Sequence, residues 1–159
     1  MRRVARRLRT LHDRHNGVTV LELVAIVVVI GILSTLVIAT YAGVQRNERN
    51  QERTRDIQDV YQQLEAYYVV HSEYPTLANM NSTAWVTTNM KTLNLQSLRD
   101  PASNSYKFVT TPTKNVYSYQ VTAADGGSCN NTSRICAHYT LTATLNGEAQ
   151  KTFVKSSLN

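Results

Sequence analysis

The chain has 159 residues, room for one ordinary domain and a short extension, and much of its 42% hydrophobic content sits in a single stretch, leaving little for a globular core. Its formal charge of +6 belongs to the N-terminal tail: residues 1–17 carry six arginines and one aspartate, whereas the other 142 residues carry 11 basic and 10 acidic groups. A body so near neutrality has no electrostatic footprint for DNA, which excludes the nucleic-acid reading that the overall charge invites.

The basic tail is the first element in chain order. The second runs from Val18 to Val44, VTVLELVAIVVVIGILSTLVIATYAGV, and is uncharged from Leu23 to Tyr41. Those 19 residues as a helix span about 28 Å, close to the ~30 Å hydrocarbon thickness of a bilayer. The stretch is apolar on every face, unlike the core helix of a soluble protein, which keeps a polar stripe. In lipid the backbone has no partner but itself, so a membrane-spanning helix is expected despite the many β-branched residues. Lys and Arg counts on the two flanks favour a cytoplasmic N-terminus and an extracytoplasmic C-terminal body. A cleaved secretory signal is the competing reading. Against it, the apolar run exceeds the 7–15 residues of an h-region, and Thr40 with Ala42 is a poor cleavage match.

Glu22 is the anomaly. An acid inside an apolar run is costly, roughly 2.5–3.5 kcal/mol at mid-bilayer and less near the interface. Hydration at the interface explains how it is tolerated but not why it is there; a cation arriving later would explain both.

The residues Gly17-Val-Thr-Val-Leu-Glu22-Leu23, behind a basic leader, closely resemble the processing motif of type IV prepilins. The resemblance covers Gly17–Gln45. It implies that a prepilin peptidase cuts after Gly17 on the cytoplasmic side, that Val18 becomes a methylated N-terminus, and that Glu22 serves assembly. Gly31 and Tyr41 fall on a helix glycine and a tyrosine frequent in that family. Two positions depart from its pattern: Val18 replaces the usual Phe, and Ala39 stands where many pilins carry a helix-bending Pro. The partners implied are other copies of the subunit, the peptidase, an assembly ATPase and an inner-membrane platform protein. Nucleic acid enters only if the filament is a competence pilus.

Beyond the apolar run, Gln45–Asp56 reads as polar on all faces and solvated, with helix pairs Arg49–Glu52, Glu52–Arg55 and Arg55–Asp59. Ile57, Val60, Tyr61, Leu64, Tyr67, Tyr68 and His71 then recur at helical spacing, so one helix is expected from Val18 to about His71, its last turns packed on a head and its end marked by Tyr74-Pro75. The head, residues 73–159, is predicted to hold a short helix around Ala84–Leu93 behind the Asn81-Ser82 cap. Four strands are predicted at Tyr106–Thr111, Val116–Ala123, Ala137–Leu145 and Glu148–Val154, the last two joined by an Asn146-Gly147 hairpin.

The fold class expected is therefore α+β, a long helix on a small antiparallel sheet of about four strands. The organisation is a cleaved leader (1–17), a transmembrane and assembly helix (18–44), its amphipathic continuation (45–72) and an extracytoplasmic head (73–159).

Cys129 and Cys136 read as a metal half-site or as a disulfide. No second Cys or His cluster completes a zinc site, and a disulfide is favoured if this region lies outside the cytoplasm. His71 and His138 are isolated, and Asp125-Gly126-Gly127 offers a single carboxylate, so no metal, cofactor or catalytic set is expected. Asn81, Asn130 and Asn131 begin acceptor triplets for N-glycosylation, read here as surface markers. The function expected is a structural subunit of a type IV pilus-like filament, in the cell membrane and then on the surface. The alternatives are a pseudopilin or minor pilin of type II secretion or DNA uptake, and a membrane-anchored surface-binding protein that does not polymerise.

Overall fold

The computed structural model describes residues 17–103, 105–147 and 151–159. The predicted leader lies, except for Gly17, outside the described residues. The chain forms two compact units, Met1–Tyr41 and Ala42–Asn159. One helix, α1 (Val20–His71, 52 residues), contributes to both.

In the first unit every described side chain from Gly17 to Tyr41 is exposed. The few polar groups in the apolar run turn back on the helix. Ser34 Oγ donates to the Ile30 carbonyl at 2.7 Å, Thr35 Oγ1 to Ile32 at 2.7 Å and Thr40 Oγ1 to Leu36 at 3.0 Å. These hydroxyls need no outside partner, so the segment offers its surroundings an almost wholly apolar surface. It is the one described segment long and apolar enough to cross a membrane.

In the second unit α1 buries one stripe: Arg53, Asp56, Ile57, Val60, Leu64 and Tyr67, at helical spacing. The helix ends at His71, three residues before Tyr74-Pro75. Ser72 takes a left-handed conformation (φ 56°) while its N–H still donates to the Tyr68 carbonyl at 2.7 Å, which closes the last turn. The head then runs through α2 (Leu77–Met80), α3 (Thr83–Asn89), a 3-10 turn (Leu95–Leu98), β1 (Ser118–Thr122), β2 (His138–Thr144) and β3 (Thr152–Ser156). The sheet is antiparallel in the order β1-β2-β3. Its register sets Tyr119 opposite Leu141, Val121 opposite Tyr139 and Ala143 opposite Phe153, one face of alternating residues joining the core built on the α1 stripe. The Tyr139 and Tyr74 hydroxyls both donate to Glu65 of α1, at 2.7 and 3.1 Å.

The α+β class stands, with corrections in detail. Among the described residues three strands form rather than four. Predicted strand Tyr106–Thr111 is reduced to a single parallel bridge between Val109 and Ser118. Its neighbour Phe108 cannot join a ladder, because its N–H donates to Asn81 Oδ1 (2.7 Å) and its carbonyl accepts from Asn81 Nδ2 (3.1 Å). The short helix ends at Asn89 rather than Leu93, where Met90 leaves helical conformation, and Ser82 caps its start by accepting from Trp85 N–H. The helix α2 carries no apolar periodicity long enough to have been read. The described part of the final strand runs from Thr152 to Ser156, and ahead of it the Asn146 backbone is held by α1: Asn50 Nδ2 donates to its carbonyl at 2.8 Å and Asn50 Oδ1 accepts from its N–H at 2.9 Å. Residues 148–150 of the predicted hairpin lie outside the described residues.

The polar stretch Gln45–Asp56 is not uniformly solvated either. Arg53 is 0% exposed and Asp56 is 8% exposed. The ion pairs formed among the described residues are Arg53–Asp100 and Arg134–Asp125, and none of the three predicted pairs along α1 is among them.

Candidate processing and assembly site

Gly17 and Val18 precede α1 and are exposed. A Cβ added at Gly17 would meet nothing within 4 Å, so a side chain there has open space around it among the described residues. Thr19 starts the helix: its carbonyl accepts from Leu23 N–H at 3.1 Å and its Oγ1 accepts from Glu22 N–H at 3.3 Å. The sequence Thr19-Val-Leu-Glu22 has the T-x-x-E form of a capping box, and the threonine half of that box is made here. Glu22, exposed in the first turn, also faces the positive end of the helix dipole. Glu22 thus has a local role that the sequence reading missed, although the spacing displayed it. Capping fixes where the helix begins, leaving Val18 just outside it and the Glu22 carboxylate one turn further on.

Gly31 lies on the same exposed segment, and a Cβ there would also meet nothing within 4 Å. Its lack of a side chain serves nothing inside the chain. Tyr41 is exposed as well.

In the head, Cys129 and Cys136 are joined by a disulfide with Cα atoms 5.1 Å apart. The enclosed turn is organised by asparagines. Asn130 Oδ1 accepts from the N–H groups of Thr132 (3.0 Å), Ser133 (2.9 Å) and Arg134 (3.2 Å). Asn131, left-handed at φ 54°, accepts from Cys136 N–H at 2.7 Å and donates to the Tyr74 carbonyl at 2.7 Å. Tyr74 N–H donates in turn to the Cys136 carbonyl at 2.8 Å, so the disulfide loop is stitched to the residues that leave α1. Two of the three glycosylation-type asparagines, Asn81 and Asn131, therefore have both side-chain amide atoms committed to backbone partners.

The isolated histidines have structural surroundings. His71 stacks on Tyr67 with ring centroids 3.9 Å apart, and His138 Nδ1 lies 2.7 Å from the Asn159 carbonyl oxygen. Among the described residues no group of three or more His, Cys, Asp or Glu gathers into a metal set. Burial pushes the Tyr74 hydroxyl up to about 12, and drives Tyr117, Tyr119 and Tyr139 upward too, as expected of core phenols.

Among curated proteins, the chain is similar to the type II secretion system core protein G of Dickeya chrysanthemi, with 33% identity over 66 residues. Those residues are 42% of this chain and 43% of that protein, so the chain spans less than half the length of the relative it matches. No protein-family model matches the chain, and no solved structure does. The exposed apolar helix, the small antiparallel head and this likeness together support a pilin-like architecture.

Proposed function

We propose that this chain is a pilin-like filament subunit that is clipped after Gly17, methylated at Val18, held in the membrane by its apolar helix and assembled through that helix. The observation that carries the reading is the apolar segment itself. Its described side chains are exposed from Val18 onward, its hydroxyls are turned inward, and its single charge, Glu22, stands one turn from the cut. Such a surface has two stable destinations, lipid and other copies of itself. Moving from one to the other is polymerisation.

The cut creates an α-amine on Val18, four residues from the Glu22 carboxylate. In low dielectric an unpaired charge is expensive and an opposite one is strongly attractive. The amine of an incoming subunit meeting Glu22 of a subunit already in place neutralises both and sets the axial stagger, as a buried polar contact sets register in a coiled coil. The prepilin peptidase, the assembly ATPase and the platform protein are the partners this route requires. The N-terminus is cytoplasmic, and the head with its disulfide is extracytoplasmic. The named relative favours a type II secretion filament over a motility or adhesion pilus as the setting.

The test is to compare membrane-bound precursor, cleaved protein and sheared filaments for Glu22→Ala and Glu22→Gln. Both variants should insert and be cleaved, and both should lose most filament yield, since Gln keeps the shape without the charge. Normal filaments from Glu22→Ala would favour an anchored protein that does not polymerise.

A further inference from the structure

Asp56 lies on the α1 stripe that the head covers, and its Oδ2 accepts a 2.6 Å hydrogen bond from the Tyr117 hydroxyl. The buried cation nearest in sequence is committed elsewhere. Arg53 donates from Nε and Nη2 to Asp100 at 2.6 and 2.9 Å, from Nη2 also to Asn115 at 3.2 Å, and from Nη1 to Asn50 at 3.1 Å. Glu52 and Asp59 stand four residues before and three after Asp56, which puts like charges on the adjoining turns. From the 3-10 turn Ser97 faces this group, its Oγ donating to Asp59 at 3.3 Å. Asp100 adds its carboxylate from the following loop, and Tyr117 is the titratable group from the segment before β1. Glu52, Asp56 and Asp59 thus bring three carboxylates to neighbouring turns of α1, while the buried Arg53 guanidinium is bound to Asp100.

We propose that Asp56 is a proton-binding site that couples the grip of the head on α1 to the acidity of its surroundings, neutral Asp56 holding the head more firmly than ionised Asp56. Ionised, the group is a buried carboxylate with a phenol for its partner. Neutral, it keeps the Tyr117 hydrogen bond and sheds the repulsion from Glu52 and Asp59. Burial is the largest influence and raises the carboxyl from 3.8 to about 6, Glu52 and Asp59 adding to the rise while Tyr117 and Ser97 oppose it. Because the folded value lies above the unfolded one, folding takes up a proton between them. This group's penalty is complete above about pH 7 and is relieved as pH falls through 6 toward 4. That direction is opposite to ordinary acid denaturation, and it is independent of how the filament reading fares.

The experiment uses the full chain in detergent micelles. Thermal unfolding is followed by Trp85 fluorescence from pH 4.5 to 8, and the Asp56 carboxyl carbon is titrated by NMR. Asp56→Asn, which still accepts from Tyr117, should melt several degrees above the parent at pH 8, and that gap should shrink to roughly a third by pH 4.5. The carboxyl should titrate near 6 in the parent, and higher in Tyr117→Phe, which lacks the donor that favours the charged form. A melting difference that does not change with pH, or a carboxyl titrating near its ordinary value, would overturn the proposal. If Asp56→Asn does not fold, the titration of the parent decides alone.

Discussion

Arg53 makes four hydrogen bonds to three residues, Asp100, Asn115 and Asn50, from a position with no solvent contact. A guanidinium survives there because its planar fork finds an acceptor in each direction. Removing one partner strands the other, so Asp100→Ala should cost about 3–5 kcal/mol in denaturant unfolding. Arg53→Lys should also be strongly destabilising, since a point charge cannot replace the fork. The double variant Arg53→Met with Asp100→Leu should lose much less than the sum of the two single losses, because it leaves no buried charge unpaired. None of this was readable locally. A run of mixed charge on a helix is ordinarily a solvated face, and Arg53's partner lies 47 positions away in a loop. Glu22 stands out for the opposite reason: it is a single acid in an apolar run, and its spacing from Gly17 is local.

At the level of elements, α1 was legible over nearly its whole length because both of its signals are periodic or continuous. The apolar run announces the first half, and the recurrence from Ile57 to His71 announces the second. The strands were harder, because side chains distant in sequence decide which backbone groups remain free to pair. Asn81 takes both groups of Phe108 and so removes a predicted strand, and Asn50 takes both groups of Asn146 just past the end of β2. Two predictions belong at this scale. Gly31 touches nothing in the single chain, so Gly31→Leu should leave membrane insertion and head stability unchanged while sharply lowering filament yield, if neighbouring helices approach there. Filament shearing set beside a melting curve checks both halves. The disulfide closes a short loop, so replacing Cys129 and Cys136 by Ser should cost about 2–3 kcal/mol. The damage should be local to the contact of Asn131 and Cys136 with Tyr74, read out as faster amide exchange there, with the β1–β2 ladder retained.

The molecule divides into an exposed apolar segment and a unit with its own core. The unit ending at Tyr41 exposes apolar side chains and hides its hydroxyls, which suits lipid or a bundle of its own kind. The unit from Ala42 onward has its own core, a cross-linked loop and an internal ion pair, which suits an aqueous, oxidising compartment. The contrast between an apolar run and a polar head is plain in the sequence, since it rests on bulk hydropathy and on the placement of charge. The central claim is that the boundary between leader and helix at Gly17 and Val18 is a processing site that frees the chain for assembly. Intact-mass measurement with N-terminal sequencing, on protein purified from membranes that contain the processing machinery, tests it most directly. The account predicts a mature chain that begins at Val18 and carries one methyl group on its amine, and an uncut chain when Gly17 carries a bulky side chain. A mature chain beginning at Gly43, or one that retains the basic leader in the presence of the peptidase, would contradict it.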